Sequence, residues 1–218
     1  MKGENIDISI VDSRLVRALV DCAKELQKRP VCISFYGESA SGKTFTSNAF
    51  VHALRQEGMN VVFLQMDDYY KLPPRENQAA RAKDITQVGP QEVNIDQLDA
   101  HIKAIQDGAT SLACPLVDFI ESTITQTTLE IKQPVDFIIV EGTFLYLLEN
   151  DDIKIFINRT YKDTHLDRQL RGREPESDLN IRTLEIEHQI IKKQTAQADF
   201  VIDKDFKFKP NPEKKENS

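Results

Sequence analysis

The sequence predicts an α/β fold, a parallel sheet with helices on both faces. Short apolar runs suited to buried strands, at residues 31–36, 61–66, 135–142 and 153–157, alternate with stretches of helical periodicity. The first run leads directly into Gly37-Glu38-Ser39-Ala40-Ser41-Gly42-Lys43-Thr44, a complete G-x-x-x-x-G-K-[ST] phosphate-binding loop. Residues 45–56 after it read as a helix, so the motif has the strand–loop–helix setting it needs.

The elements follow in order. Asp12-Ser13 caps a first helix whose apolar face is Leu15, Val16, Leu19, Val20 and Leu26, stopping at Lys28-Arg29-Pro30. The first strand, the loop and its helix come next, then the turn Gly58-Met59-Asn60 and a second strand running into Asp67-Asp68-Tyr69-Tyr70. Residues 71–93, with Pro73, Pro74, Gly89 and Pro90 among many charges, read as an irregular flap. Asn94 or Asp96 opens a helix carrying Ile95, Leu98, Ile102 and Ile105. Residues 115–119 and 127–131 read as a small hairpin. Residues 135–142 are the clearest buried strand, followed by the strand 153–157. Helices are expected at 160–171 and 179–194, and a last strand at 198–202. The charged stretch 204–218 reads as a frayed tail. The whole chain, 1–218, is expected to be one domain: an N-terminal helix within 1–30, a core at 31–203, and that tail.

At 218 residues, with 40% hydrophobic and 29% charged residues, the chain can bury a full core. A net charge of −7 argues against a broad nucleic-acid surface. Three cysteines, Cys22, Cys32 and Cys114, without C-x-x-C pairing fit a reducing, cytoplasmic setting, and Cys32 is a core candidate. No run approaches the length of a membrane span, and Met1-Lys2-Gly3-Glu4 has no apolar signal region.

Four groups carry candidate chemistry. In the loop, Gly37 and Gly42 let successive N–H groups turn inward at a triphosphate, and the helix opening near Lys43 adds its positive end. Lys43 is placed to reach the β- and γ-phosphates, and the Thr44 hydroxyl to bind Mg²⁺. Gly37, Glu38, Ser39, Ala40, Ser41, Gly42, Lys43, Thr44 and Phe45 together form the expected nucleotide-binding set. Asp67, at the end of the second strand, falls where ligand groups gather in parallel sheets. It is a candidate general base and a candidate metal group, whereas Asp68 is less central. Glu141 ends a run of apolar β-formers, the Walker B pattern, and is expected to serve Mg²⁺ or its water shell. Arg168, Arg171 and Arg173 surround a helix end broken by Gly172 and Pro175, and fit a clamp on a transferring phosphoryl group. His52, His101, His165 and His188 show no metal spacing. H-E-x-x-H, G-x-S-x-G and N-K-x-D patterns do not occur.

Taken together these residues resemble the uridine kinase and phosphoribulokinase family of P-loop kinases, over roughly residues 31–203. Met66-Asp67-Asp68-Tyr69-Tyr70 is similar to the family's Leu-Asp-Asp-Phe-Tyr, in which the first Asp is the base. Pro115-Leu116-Val117-Asp118-Phe119 resembles its Pro-x-Tyr-Asp-Phe hairpin, Val140-Glu141-Gly142 its Val-Glu-Gly segment, and residues 198–202 its terminal strand. The resemblance implies a P-loop NTPase fold of the nucleoside and nucleotide kinase type, with a small hairpin flap and an Arg lid. It implies transfer of phosphate from ATP, with Mg²⁺, to a primary hydroxyl of a small metabolite, and possible self-association as a homo-oligomer.

Departures fall where the acceptor would be read. Uridine kinases carry an Asn-(Phe/Tyr/Trp)-Asp-His-Pro-Asp segment. The matching stretch here is residues 86–91, with Val88 in the acid's place. The hairpin's Tyr and His positions hold Val117 and Ser122, and the lid's Arg-Asp pair becomes Arg171-Gly172-Arg173. A polar pocket discriminates strongly because lost partners are costly, so these changes point away from uridine. A metabolite kinase with an intact ATP half and a rewritten acceptor pocket is the leading expectation. A uridine or cytidine kinase proper is the runner-up. A nucleotide-dependent regulatory ATPase and a binding-only scaffold are readings of other classes.

Overall fold

A computed structural model describes residues 11–165 and 177–214. In chain order its main elements are α1 (Ser13–Lys24), β1 (Val31–Tyr36), α2 (Lys43–Gln56), β2 (Val61–Gln65), α3 (Pro74–Lys83), α4 (Ile95–Gln106), β3 (Ser111–Asp118), β4 (Thr123–Glu130), β5 (Phe137–Gly142), β6 (Ile153–Ile157), α5 (Asp178–Ile191), β7 (Phe200–Ile202) and β8 (Phe208–Pro210). Among the described residues six strands form one sheet, in the order β2-β5-β1-β6-β7-β8. The pairs β2/β5, β5/β1, β1/β6 and β6/β7 are parallel, and β8 returns antiparallel on β7.

Alternation along the central strands splits the interior into two cores. Val31, Ile33 and Phe35 of β1 pack with Phe137 and Ile139 of β5 against α1 and α2, through Leu15, Leu19, Phe50 and Leu54. Cys32 and Tyr36 face the other side with Ile138 and Val140, against Leu98, Ile102 and Ile105 of α4 and Ile191 of α5. Every residue of β1 and β5 is buried, as expected for central parallel strands covered on both faces. Asp12 caps α1 by accepting the Arg14 N–H at 2.8 Å, and the helix ends at Lys24, short of the proline that the sequence suggested as its stop.

Two expectations need correction. Residues 71–93 are not irregular: Pro73 and Pro74 start α3, and two short 3₁₀ turns follow at Ile85–Gln87 and Pro90–Glu92. Proline at the first helical turn initiates a helix as readily as it breaks one. The described part of the stretch 204–218 is packed rather than frayed. Phe208 stacks on Phe200 at 4.8 Å, and the buried Asn211 donates to the Thr195 and Ala198 carbonyls at 2.8 Å each. Of the helix expected over 160–171, the structure describes a turn at 161–164 leading into a helical His165, and residues 166–176 lie outside the described residues.

The hairpin β3/β4 stands apart from the main sheet. Val117 is fully buried, and its N–H donates to Asp68 Oδ1 at 3.0 Å. Tyr69 shares a 2.9 Å hydrogen bond with His101 Nδ1 of α4, and Cys114 lies 3.7 Å from the same nitrogen. Asp68 and Tyr69 therefore fasten the segment after β2 to the hairpin and to α4. Leu98→Ala should cost about 2–5 kcal/mol by leaving a cavity at a fully buried site of α4. Urea unfolding of the variant would show it as a lower midpoint with an unchanged m-value.

Candidate active site

The parallel register brings the chemistry together. Tyr36 at the end of β1 lies opposite Gly142 of β5, and Gln65 at the end of β2 lies opposite Glu141. The phosphate-binding loop leaves β1 while Asp67 follows β2 in a 3₁₀ turn, Met66–Tyr69. All three thus meet at the carboxyl edge of the sheet, where such folds bind ligands.

Loop conformation fits a phosphate cradle. Gly37 has φ +154° and a Cβ there would lie 2.7 Å from the Ile157 carbonyl oxygen, so no other residue fits. Ala40 (φ +60°) and Gly42 (φ +101°) adopt left-handed backbone, which turns neighbouring N–H groups to one side. Ala40 holds that conformation at some cost for a residue with a side chain. Ser41 Oγ is fully buried without a hydrogen-bond partner, as suits a cradle that a triphosphate completes. Lys43 is buried and donates to the Glu38 carbonyl at 2.8 Å, so its ammonium lies across the loop. Phe45 is half-buried on the first turn of α2.

Thr44 and Glu141 are joined directly, with the Thr44 hydroxyl donating to Glu141 Oε1 at 3.3 Å. Gln65 Nε2 donates to the same oxygen at 3.0 Å. Burial pushes the Glu141 carboxyl above its ordinary range, and the Asp67 carboxylate pushes it further. The Lys43 ammonium and the two hydrogen bonds oppose that shift. A hydroxyl and two interacting carboxylates form a hard-oxygen set suited to Mg²⁺.

Both ends of the loop are braced by residues that the motif leaves unspecified. Glu38, buried, accepts from the Tyr161 N–H at 2.7 Å and pairs with His188 Nδ1 of α5 at 2.7 Å. Ser39 donates to Glu187 Oε2 of α5 at 2.9 Å. Phe206, at φ +57°, sits 3.4 Å from a Cβ built on Gly42, with the Arg159 guanidinium over its ring. Sequence reading assigned nothing to Phe206, Arg159, Glu187 or His188. Their places depend on contacts across more than a hundred residues, and no local pattern marks them. Arg168, Arg171 and Arg173 lie outside the described residues.

The profile of the Phosphoribulokinase / Uridine kinase family matches residues 32–205. The chain belongs to that family. A uridine kinase of Lactococcus lactis subsp. cremoris (strain MG1363) is 32% identical over 150 residues, spanning 66% of this chain and 69% of that protein. A uridine kinase of Lactiplantibacillus plantarum is 28% identical over 187 residues, covering 80% and 87% of the two chains. Among solved structures, a possible uridine kinase from Bacillus stearothermophilus superposes with a TM-score of 0.61 at 19% identity, over 86% of this chain and 97% of that one. Phosphoribulokinase from Rhodobacter spheroides gives 0.59 at 16% identity, over 81% and 70%. The fold is therefore the P-loop kinase α/β fold that the alternating strands and helices, the loop and the family resemblance predicted. The chain is an ATP-dependent kinase acting on a hydroxyl of a small metabolite. Among the described residues no helix is long and apolar enough to cross a membrane.

Glu141→Gln should raise stability while abolishing most activity. A carboxyl whose folded pKa is raised binds more protons folded than unfolded, so it weakens the fold as pH rises through that window. At neutral pH the amide removes that penalty, worth about 0.5–2 kcal/mol. The gain in Tm should shrink as the pH falls toward 4.5, the ordinary glutamate value, and a pH series of melting curves checks this. Gly142→Ala would place its Cβ 2.3 Å from Met66 Cβ and 2.9 Å from Met66 Sδ. Relief requires the segment leading into Asp67 to move, so turnover should fall along with about 1–3 kcal/mol of stability. Paired kinetics and denaturation would show both losses.

Proposed function

We propose that this kinase uses Asp67 as general base toward the acceptor hydroxyl. The observation that carries this is the meeting of the nucleotide loop, the Asp67 turn and the Thr44–Glu141 hydrogen bond at one sheet edge. Residues 37–45 hold the donor phosphates through loop N–H groups and the Lys43 ammonium. Thr44 and Glu141, with Asp67 beside them, hold Mg²⁺, which when bound neutralises charge on the transferring phosphoryl group. Asp67 takes the proton of the attacking hydroxyl. Arg168, Arg171 and Arg173 are the candidate charge partners of the transferring phosphoryl group, on the family resemblance alone.

The acceptor reading rests on three side chains. Val88 and Val117 are buried apolar residues, and Ser122 Oγ accepts the Arg75 N–H at 2.9 Å at the start of α3. Two of these positions offer no polar group, and the third is engaged in holding α3. A small hydroxylated metabolite other than uridine is thereby favoured. The second reading, a uridine or cytidine kinase, draws support from the names of the relatives above. The protein works without nucleic acid, in the cytoplasm, and self-association is compatible with either reading.

Asp67→Asn should lower turnover about 10²–10⁴-fold while changing the affinity for ATP little. ADP release measured with ATP and Mg²⁺ across nucleosides, vitamins and sugar alcohols tests both readings. Rapid turnover of uridine or cytidine would replace the first with the second. ATP hydrolysis without any phosphorylated acceptor would sink both in favour of a regulatory ATPase.

A further inference from the structure

Helix α3 buries no apolar side chain; Asn77 is its one buried residue. It is held instead by polar contacts that converge on Arg81. The side chain of Arg81 is 12% exposed, and it donates to Glu92 through Nε at 2.5 Å and Nη2 at 3.0 Å. Asn77 Nδ2 at 2.9 Å and the Gly89 N–H at 2.8 Å complete the coordination of the Glu92 carboxylate. The same Nη2 also lies 3.7 Å from Glu187 Oε1 of α5. The second oxygen of Glu187 accepts from Ser39 in the nucleotide loop. Ser39, Glu187, Arg81 and Glu92 thus form one polar chain, buried at its two glutamates, from the loop to the segment 74–93, which the sequence match places at the acceptor.

Guanidinium chemistry decides what Arg81 does there. Its Nε and Nη2 engage the Glu92 carboxylate bidentately, and a second carboxylate, Glu187, lies 3.7 Å from Nη2, so its charge is already balanced and it is not poised to bind an acidic acceptor. A helix fastened by hydrogen bonds and ion pairs, without apolar burial, opens at low free-energy cost. Its closed state then depends on whatever fixes Glu187, and Ser39 supplies one of those contacts from the loop. We propose that Arg81 is a positioning residue that couples nucleotide occupancy of residues 37–45 to the ordering of residues 74–93. The acceptor wall closes when the donor is bound. This rests on the proposed nucleotide site, and the two fail differently.

The test is hydrogen exchange on the full chain with and without the non-hydrolysable analogue AMP-PNP and Mg²⁺. In the native protein the analogue should slow exchange over 37–45 and also over 74–93, by about fivefold or more. Arg81→Lys keeps a charge but loses the planar fork that grips the Glu92 carboxylate bidentately. Glu187→Gln keeps an acceptor for Ser39 but drops the ion pair. Both should retain nucleotide protection over 37–45 and lose it over 74–93. Exchange over 74–93 that rises equally with and without nucleotide, leaving the protection ratio intact, would mean that Arg81 is merely structural and would overturn the coupling. Native-like protection ratios in both variants would do the same. Absence of protection over 37–45 in the native protein would overturn the nucleotide site itself, and the coupling with it.

Discussion

Glu141 is a carboxylate held at the end of a fully buried strand, and the rest of the site is arranged around it. Its burial costs free energy, which the Thr44 hydroxyl, the Gln65 amide and the Lys43 ammonium only partly offset. The parallel pairing of β2, β5 and β1 makes this convergence unavoidable. Register alone places Gln65 beside Glu141 and the first loop glycine just beyond Gly142. Gly142 must lack a side chain because Met66 occupies that space, and Met66 leads straight into Asp67. A strained and partly uncompensated centre of this kind is common where a cation and a polyanion complete the structure.

Around that centre the molecule changes from apolar to polar construction. The two cores flanking the sheet are closely apolar and carry α1, α2 and α4. By contrast α3 and α5 meet through Arg81 with Glu187 and Gln78 with Asn180. Apolar packing fixes what must not move, namely the strand ends that aim Asp67, Thr44 and Glu141. Polar packing holds the segment proposed to face the acceptor, where a kinase needs closure on a substrate and release of a product.

Much of this was legible in the chain. The phosphate loop, the Asp67 turn and Glu141 each carry a local signature, because glycine geometry, strand hydrophobicity and a terminal acid are properties of consecutive residues. The α/β order was legible for the same reason. The reading of 71–93 as irregular failed because two prolines mark a helix start as well as a break, and α3 has no apolar face to reveal it. The reading of the tail failed because β8 is three residues long and owes its place to Phe200 and Asn211 contacts.

By itself, then, the sequence determined the fold class and the family, and it marked the candidate residues at the sheet's carboxyl edge, all encoded at short range. Tertiary structure alone decided that Asp68 fastens the hairpin, that Ser122 engages α3, and that Ser39 and Glu38 tie the loop to α5. Those roles belong to side chains whose partners lie tens to more than a hundred residues away. A polar contact of that range leaves no periodicity or spacing in the chain, and it exists only once apolar burial has brought the elements together.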